Sequence, residues 1–363
     1  MIPNEVYERT LRKFFAPIVP LLDDESVTEI LINGHNEIIV ERKGQLAATP
    51  HRFEDEDSLL AAIRHLGQFV GRRVDKFQPI LEARFPDGSR VEAVLSPASQ
   101  DGPHVAIRRF SKEKLTMNKL IEFGALDSQA ASLLAALVAC KQNIIVAGGT
   151  GSGKTSMLNA LSSYIGNAER IVVIEDAREL QLQRDHVVQF EAQAADAKGR
   201  GRVSIRDLFK ATLRLRPDRI VIGEIRAGEA LELIQAMTSG HGGCMSTVHA
   251  SYPRDTLSRL ETMALMSDVE LPLRALRSQV SSAIQIIVQT SRLSDGSRGI
   301  THISEVLGLA DDGSYQLQDL YRRTIHGKES DGRLISSLDA TGLRPRCWEQ
   351  MTALGLSVEE KPQ

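Results

Sequence analysis

The sequence predicts an α/β protein in which a domain with a mostly parallel sheet follows a smaller α+β domain. Short, wholly apolar stretches alternate with helical patterns in the later part of the chain, as in parallel sheets buried on both faces. Before residue 110, strands with alternating apolar residues are separated by turn residues. Because the chain has 363 residues, two domains of ordinary size are expected.

Residues 1–112 are predicted to form the smaller domain. Asn33-Gly34 and Pro86-Asp87-Gly88 mark the turns of two hairpins. Acidic residues at 54–57 favour the start of a helix, because negative charge stabilises a helix amino terminus. The predicted elements are a helical segment at 6–22, a hairpin at 28–41, a helix at 59–66, a hairpin at 81–95 and a strand at 104–110.

A linker is predicted at 113–126, next to the polar residues 111–114, and the second domain at 127–363. Its apolar strands are predicted at 143–147, 171–174, 187–190, 219–223 and 243–248. Helices are predicted at 130–137, 204–211 and 228–234. After residue 271 we expect one more helix, strands at 284–289, 300–307 and 315–321, and a tail without a clear pattern.

The composition of the chain argues against several classes of function and of binding site. A net charge of −3 and 4% aromatic residues argue against a chain whose main task is to grip nucleic acid. The three cysteines, Cys140, Cys244 and Cys347, form no C-x-x-C pair, so neither a disulfide framework nor a zinc site is expected. The longest apolar run is too short to span a bilayer, and the first residues lack a signal-peptide pattern. These features predict a cytoplasmic protein.

A glycine-rich loop follows the apolar strand at 143–147 and matches the pattern G-x-x-x-x-G-K-[ST]. Its backbone N–H groups and the following helix start favour the phosphates of a nucleoside triphosphate. Lys154 is predicted to reach the β and γ phosphates, and the Thr155 hydroxyl to bind Mg²⁺. The predicted nucleotide-binding residues are Gly148, Gly149, Thr150, Gly151, Ser152, Gly153, Lys154, Thr155 and Ser156.

Hydrolysis also needs carboxylates at the ends of neighbouring strands, to hold Mg²⁺ through water or to orient the attacking water. Glu175 follows the strand at 171–174, and Glu224 follows the strand at 219–223. His249 ends a glycine-bounded strand, from which it could contact the γ-phosphate, whereas His241 is interpreted as structural. Thr155, Glu175 and Glu224 are therefore the predicted Mg²⁺ residues, and Glu175, Glu224 and His249 the predicted catalytic residues.

The segments GGTGSGKT, IEDAREL, RPDRIVIGEIRAGEAL and SGHGGCMSTVHA occur in this order. They resemble the Walker A, Asp, Walker B and His boxes of the secretion-superfamily ATPases. Within that superfamily, the chain looks most like the CpaF/TadA traffic ATPases of tight-adherence (Flp-type) pilus systems and their type IV secretion relatives. The resemblance runs from about Val27 to the end, since TEILINGHNEIIVERKGQL, ARFPDGSRVEAV and VAIRRF also match that family's first domain.

The resemblance implies a RecA-like P-loop ATPase domain in a homo-hexameric ring that uses ATP and Mg²⁺. It implies that Glu224 activates water, that Glu175 supports Mg²⁺ and water, and that His249 senses phosphate. Arg90, Arg108 and Arg84 look like the arginines that reach the γ-phosphate from the first domain. An inner-membrane platform protein is the implied partner, with peripheral membrane association only and no nucleic acid.

Two features depart from the family pattern. The four-cysteine zinc insert of type II secretion ATPases is missing, and the long leader of many CpaF-like proteins is nearly absent. A type IV secretion or pilus-retraction ATPase is the alternative within the superfamily. Alternatives of another class are a RecA-like nucleic-acid motor and a nucleotide-gated module that does not hydrolyse ATP.

Overall fold

The computed structural model describes residues 4–42, 44–110, 115–195 and 199–356. The chain divides into two compact units, one of Met1–Glu113 with Ala194–Arg202 and one of Lys114–Gln193 with Val203–Gln363. Residues 111–114, next to the predicted linker, lie outside the described residues. None of the helices in the described part of the chain combines the length and apolar character needed to cross a bilayer.

The first unit is an antiparallel sheet with helices packed on one face. Its helices are α1 (Asn4–Phe14), α2 (Val19–Asp23) and α3 (Glu56–Phe69). Its strands are β1 (Val27–Asn33), β2 (Glu37–Arg42), β3 (Gln45–Ala48), β4 (Ile80–Arg84), β5 (Arg90–Val94) and β6 (His104–Arg108), in the order β3-β2-β1-β6-β5-β4. Helix α3 begins after Asp55, whose carboxylate accepts the Ser58 N–H at 2.8 Å. The hairpins, the helix and the last strand predicted here are confirmed.

The second unit contains a sheet of nine strands within the described residues. Its strands are β7 (Ile144–Gly148), β8 (Ile171–Glu175), β9 (Val187–Glu191), β10 (Arg219–Ile222), β11 (Met245–Val248), β12 (Ile286–Arg292), β13 (Arg298–Leu309), β14 (Tyr315–Lys328) and β15 (Leu334–Ala340). Their order is β15-β14-β13-β12-β7-β11-β10-β8-β9, parallel from β12 to β9 and antiparallel from β12 to β15.

Helices cover both faces of this sheet, and two apolar cores result. They are α4 (Met117–Glu122), α5 (Ser128–Ala139), α6 (Lys154–Ser162), α7 (Ile205–Thr212), α8 (Glu229–Thr238), α9 (Pro253–Leu265), α10 (Leu273–Ala283) and α11 (Trp348–Ala353). The predicted fold class, a mostly parallel α/β sheet preceded by a smaller α+β domain, is confirmed.

The structure differs from the sequence prediction in four segments, one of which is helix α9 (Pro253–Leu265), where no helix is predicted. Helix α4 lies in the stretch predicted as a linker, because Thr116 caps it and its apolar side chains, Met117 and Leu120, are buried in a core of the second unit. Strand β15 and helix α11 lie in the tail predicted to lack a pattern. The predicted helical segment at 6–22 is interrupted at Ala16–Ile18, since Pro17 has no backbone N–H for a continuous helix.

Candidate nucleotide-binding and catalytic site

Strand order decides which loops lie together. Strand β11 lies between β7 and β10, and all three are parallel. Their carboxyl ends therefore share one edge, where the glycine-rich loop, Glu224 and His249 follow β7, β10 and β11 respectively.

The glycine-rich loop curls between β7 and α6 through two glycines with positive φ, Gly151 at 70° and Gly153 at 96°. Lys154 begins α6, and only 8% of its surface is exposed. Its Nζ donates a hydrogen bond to the Gly149 carbonyl oxygen at 2.8 Å. The lysine ammonium therefore lies across the loop, next to backbone that can bind an anion.

A threonine of β12 fixes the base of this loop. Oγ1 of Thr290 lies 2.9 Å from Oγ of Ser152 and 3.0 Å from the Ala147 carbonyl oxygen. A Cβ on Gly148 would collide with both hydroxyls, so only glycine fits there. The sequence prediction missed Thr290, because no local pattern reveals that β12 is the neighbour of β7.

His249 lies between the loop lysine and Glu224. Its Nδ1 is 3.4 Å from Nζ of Lys154, and its Nε2 is 2.7 Å from Oε1 of Glu224. The second contact is close but is not aligned as a directed hydrogen bond. The structure thus brings three of the predicted site residues into one continuous row.

Burial lowers the pKa of His249, and the Lys154 ammonium lowers it further. The imidazole is therefore neutral near pH 7. A neutral ring whose Nδ1 accepts from Lys154 carries its proton on Nε2, the nitrogen that faces the Glu224 carboxylate.

Arg226 holds the other oxygen of Glu224. Its Nε and Nη2 donate to Oε2 at 2.9 and 2.6 Å, while Nη1 lies 3.4 Å from Oδ2 of Asp176. These contacts raise the pKa of Arg226 against the effect of its partial burial. Sequence reasoning gave this arginine no role, although it lies only two positions after the predicted catalytic acid.

Glu175 is the buried acid of the site, with 3% of its surface exposed. Its Oε1 accepts the N–H groups of Glu179 and Leu180 at 2.8 and 2.9 Å, whereas Oε2 is buried and has no hydrogen-bond partner among the described residues. Burial raises the pKa of Glu175 to about 7, against the effect of the two amides. It packs so closely on Gly223 that a Cβ there would lie 2.9 Å from its Cγ.

The residues present fit an Mg²⁺ ion, which prefers oxygen ligands and keeps several waters. The buried, unpartnered Oε2 of Glu175 would be satisfied by a hydrated cation or a water. No group of three or more His, Cys, Asp or Glu in the described chain is arranged to hold a metal alone, so nucleotide phosphates and water would supply the other ligands. Such an ion would neutralise phosphate charge, with Thr155, Glu175 and Glu224 as its protein neighbours.

The three predicted arginines of the first unit form a single row. Arg108 pairs with Arg90 across β6 and β5, and Arg90 pairs with Arg84 across β5 and β4. Glu29 of β1 continues the row opposite Arg108. Residues directly opposite on neighbouring strands share a face, so one face of this sheet carries three adjacent cations.

A model of the type II/IV secretion system protein family matches residues 12–310 of the chain. The chain belongs to this family. It is an ATPase of the secretion-system type, with a RecA-like P-loop fold.

The similarity to the following three proteins covers most of this chain and most of each of the other chains. A putative conjugal transfer protein of Mycobacterium tuberculosis strain H37Rv is 33% identical over 78% of this chain and 82% of the relative. The type IV secretion system protein VirB11 of Brucella suis biovar 1 is 31% identical over 80% of this chain and 88% of its own length. The solved structure of the Legionella pneumophila ATPase DotB has the same fold, with a TM-score of 0.56 and 18% identity over 83% of this chain and 81% of that one.

Proposed function

We propose that this protein is a motor that hydrolyses Mg-ATP to drive the assembly or movement of a secretion or pilus apparatus. It acts as a homo-hexamer in the cytoplasm, associates peripherally with the inner membrane and pushes on a platform protein there. The observation that carries the catalytic part is the row of Lys154, His249 and Glu224, in which a phosphate-binding cation and an acid lie on either side of one imidazole.

The apparatus is proposed from the relatives. Those named above are a putative conjugal transfer protein and a type IV secretion protein, which favours a type IV secretion system over the tight-adherence pilus that the sequence motifs predict. ATPases of one superfamily serve type IV secretion systems and tight-adherence pili. The two proposals therefore share the same nucleotide site and differ in the platform protein.

In the proposed mechanism, loop amides and Lys154 bind the β and γ phosphates. Glu224 accepts a proton from the water that attacks the γ-phosphorus, and ADP leaves. Arg226 holds the Glu224 carboxylate in place. His249, which lies between Lys154 and Glu224, contacts the γ-phosphate. The arginines of the first unit, Arg90 and Arg108 with Arg84, are proposed to stabilise charge on the γ-phosphate.

The Glu224→Gln substitution tests the catalytic assignment. The amide keeps the shape but cannot accept the proton, so we expect turnover to fall at least about a hundredfold while ATP still binds. Phosphate release and ATP binding by calorimetry measure the two effects. Glu270→Gln, an exposed residue of the same unit, is the matched control.

Substantial turnover in Glu224→Gln would refute the role of Glu224. If the unaltered protein itself released no phosphate, a nucleotide-gated module would replace the motor. Lys154→Ala should instead weaken binding, and normal hydrolysis by that variant would refute the phosphate-loop assignment.

A further inference from the structure

The hairpin of β12 and β13 extends beyond the phosphate loop. Thr290 of β12 lies opposite Gly148 of β7, and Ile300 of β13 lies opposite Thr290. Two positions further along, Arg292 and Arg298 face each other across the hairpin. Because directly opposite residues share a face, both arginines lie on the face from which Thr290 contacts Ser152 of the loop.

The hairpin turn is held in place on both sides. Leu293 donates its N–H to the Ser297 carbonyl oxygen at 2.8 Å. Asp295 accepts the Ser297 hydroxyl and, through its other oxygen, the N–H of Leu334 in β15. These hydrogen bonds, led by that from Ser297, lower the pKa of Asp295 to about 2. The strand that carries Arg298 is therefore fixed at its start.

Arg298 passes beside the phosphate loop. Its Cδ is 3.8 Å from the position that a Cβ on Gly153 would occupy, and Gly153 is the residue just before Lys154. The side chain is exposed, and no described residue forms a hydrogen bond or ion pair with its guanidinium. The guanidinium can thus reach an anion in the loop without breaking an existing pair.

The strand order indicates which part of the nucleotide lies near Arg298. Strand β12 lies on one side of β7, whereas β11 and β10, with His249 and Glu224, lie on the other. A γ-phosphate must face Glu224 for attack by water, so the remainder of the nucleotide extends along the β12 side.

We propose that Arg298 binds the nucleoside diphosphate part of the nucleotide, at its α and β phosphates. The inference rests on the proposed phosphate-loop site and adds a contact that ATP and ADP share. An interaction made equally in the ground state and the transition state lowers KM without raising kcat. Arg298 is therefore assigned to oxygens of the α and β phosphates away from the bond that breaks, where its contact contributes to nucleotide binding and not to the chemical step.

The test compares Arg298→Gln with Arg298→Lys, measuring calorimetric Kd for Mg-ADP and for a non-hydrolysable Mg-ATP analogue, together with kcat. For Arg298→Gln we expect both Kd values to rise about tenfold, equivalent to about 1.4 kcal/mol, with kcat unchanged. Arg298→Lys keeps the charge and should recover part of the affinity. Arg333→Gln, which removes an exposed cation from the next hairpin, is the matched control.

Unchanged affinity for both nucleotides in Arg298→Gln would overturn the proposal. Loss of analogue affinity alone, or of kcat alone, would also overturn it, because either places the guanidinium at the γ-phosphate. Lys154→Ala, measured in parallel, distinguishes a failure of the Arg298 proposal from a failure of the phosphate-loop site. If Lys154→Ala loses nucleotide and Arg298→Gln does not, only the role of Arg298 fails; if neither loses nucleotide, the phosphate-loop site itself fails.

Discussion

Glu175 combines deep burial with an ionisable carboxyl, one oxygen of which has no hydrogen-bond partner in the part of the chain that the structure describes. Its raised pKa means that the folded protein holds this proton more tightly than the unfolded chain does. The stabilising effect of that proton is complete below the ordinary value of 4.5 and is lost as the pH rises through about 7. A buried acid with these properties is stable as a neutral group, and its ionised form would be stabilised by the Mg²⁺ or water proposed beside it.

The Glu175→Gln substitution should remove this pH dependence. We expect the unaltered protein to lose up to about 3 kcal/mol of unfolding free energy between pH 4.5 and 7.5 from this group, and the variant not to lose it. Urea denaturation across that range measures the difference. Glu270→Gln should follow the unaltered protein, and equal pH slopes for Glu175→Gln and the unaltered protein would contradict the assignment.

At the residue scale, sequence reasoning found the residues that local patterns mark. Lys154 stands in a motif, and Glu224 and His249 stand at strand ends. Thr290 and Arg298 were missed because their relation to the loop depends on β12 pairing with β7, across more than a hundred residues. Nothing local could reveal that pairing.

At the scale of elements, β8 and β10 are paired neighbours, and the Glu175 side chain at the end of β8 occupies the space that a Cβ at residue 223 would need. We expect Gly223→Ala to destabilise the protein by about 1–3 kcal/mol, because its Cβ would displace the Glu175 side chain. Thermal denaturation measures the effect. Gly327→Ala is the control, since no described residue apart from its two chain neighbours has an atom within 4 Å of its Cβ position.

Truncating the Glu175 side chain should leave room for a Cβ at residue 223. The Glu175→Ala/Gly223→Ala pair is expected to be more stable than the sum of the two single effects predicts. Additive effects would show that Glu175 does not constrain Gly223.

A buried ion pair joins β10 to the residues before β8. Arg219 has 1% of its side chain exposed and donates to Glu169 and to the Val138 carbonyl oxygen, both at 2.8 Å. Arg219→Met should cost about 3 kcal/mol, since among the described residues Glu169 then keeps only Lys141, at 3.1 Å, as an ionic partner. Lys141→Met, which removes the exposed partner, should cost less than about 1 kcal/mol. Urea denaturation of both variants decides, and equal costs would contradict the pairing.

The predictable elements are those with a strong local period. The buried strands of the parallel sheet are short apolar runs, and Ser204 caps α7 where the sequence predicts a helix start. Strand β15 could not be found, because as an edge strand it has one buried residue among intermediate and exposed ones, without clear alternation. Helix α4 was missed because it has only six residues, too few for a helical period to show.

At the scale of the whole molecule, the family match covers residues from both units. We expect the Glu224→Gln variant to assemble into a hexamer of about 239 kDa, six times the 39.9 kDa chain, in the presence of Mg-ATP. Trapped nucleotide should favour the assembled form, because a ligand that binds one state better shifts the population towards it. Light scattering after size exclusion, with and without Mg-ATP, measures this; a persistent monomer or dimer contradicts a self-sufficient ring.

The position of β11 bears on how the His249 side chain would respond to a bound nucleotide. Two strand spacings, about 10 Å, separate β7 from β10, and the imidazole of His249 lies between Lys154, at the start of α6, and Glu224, which follows β10. In the proposed mechanism, a γ-phosphate and its attacking water occupy this same width. The imidazole would then have to give up at least one of its two contacts when nucleotide binds, so its orientation would differ between the nucleotide-bound and the nucleotide-free site.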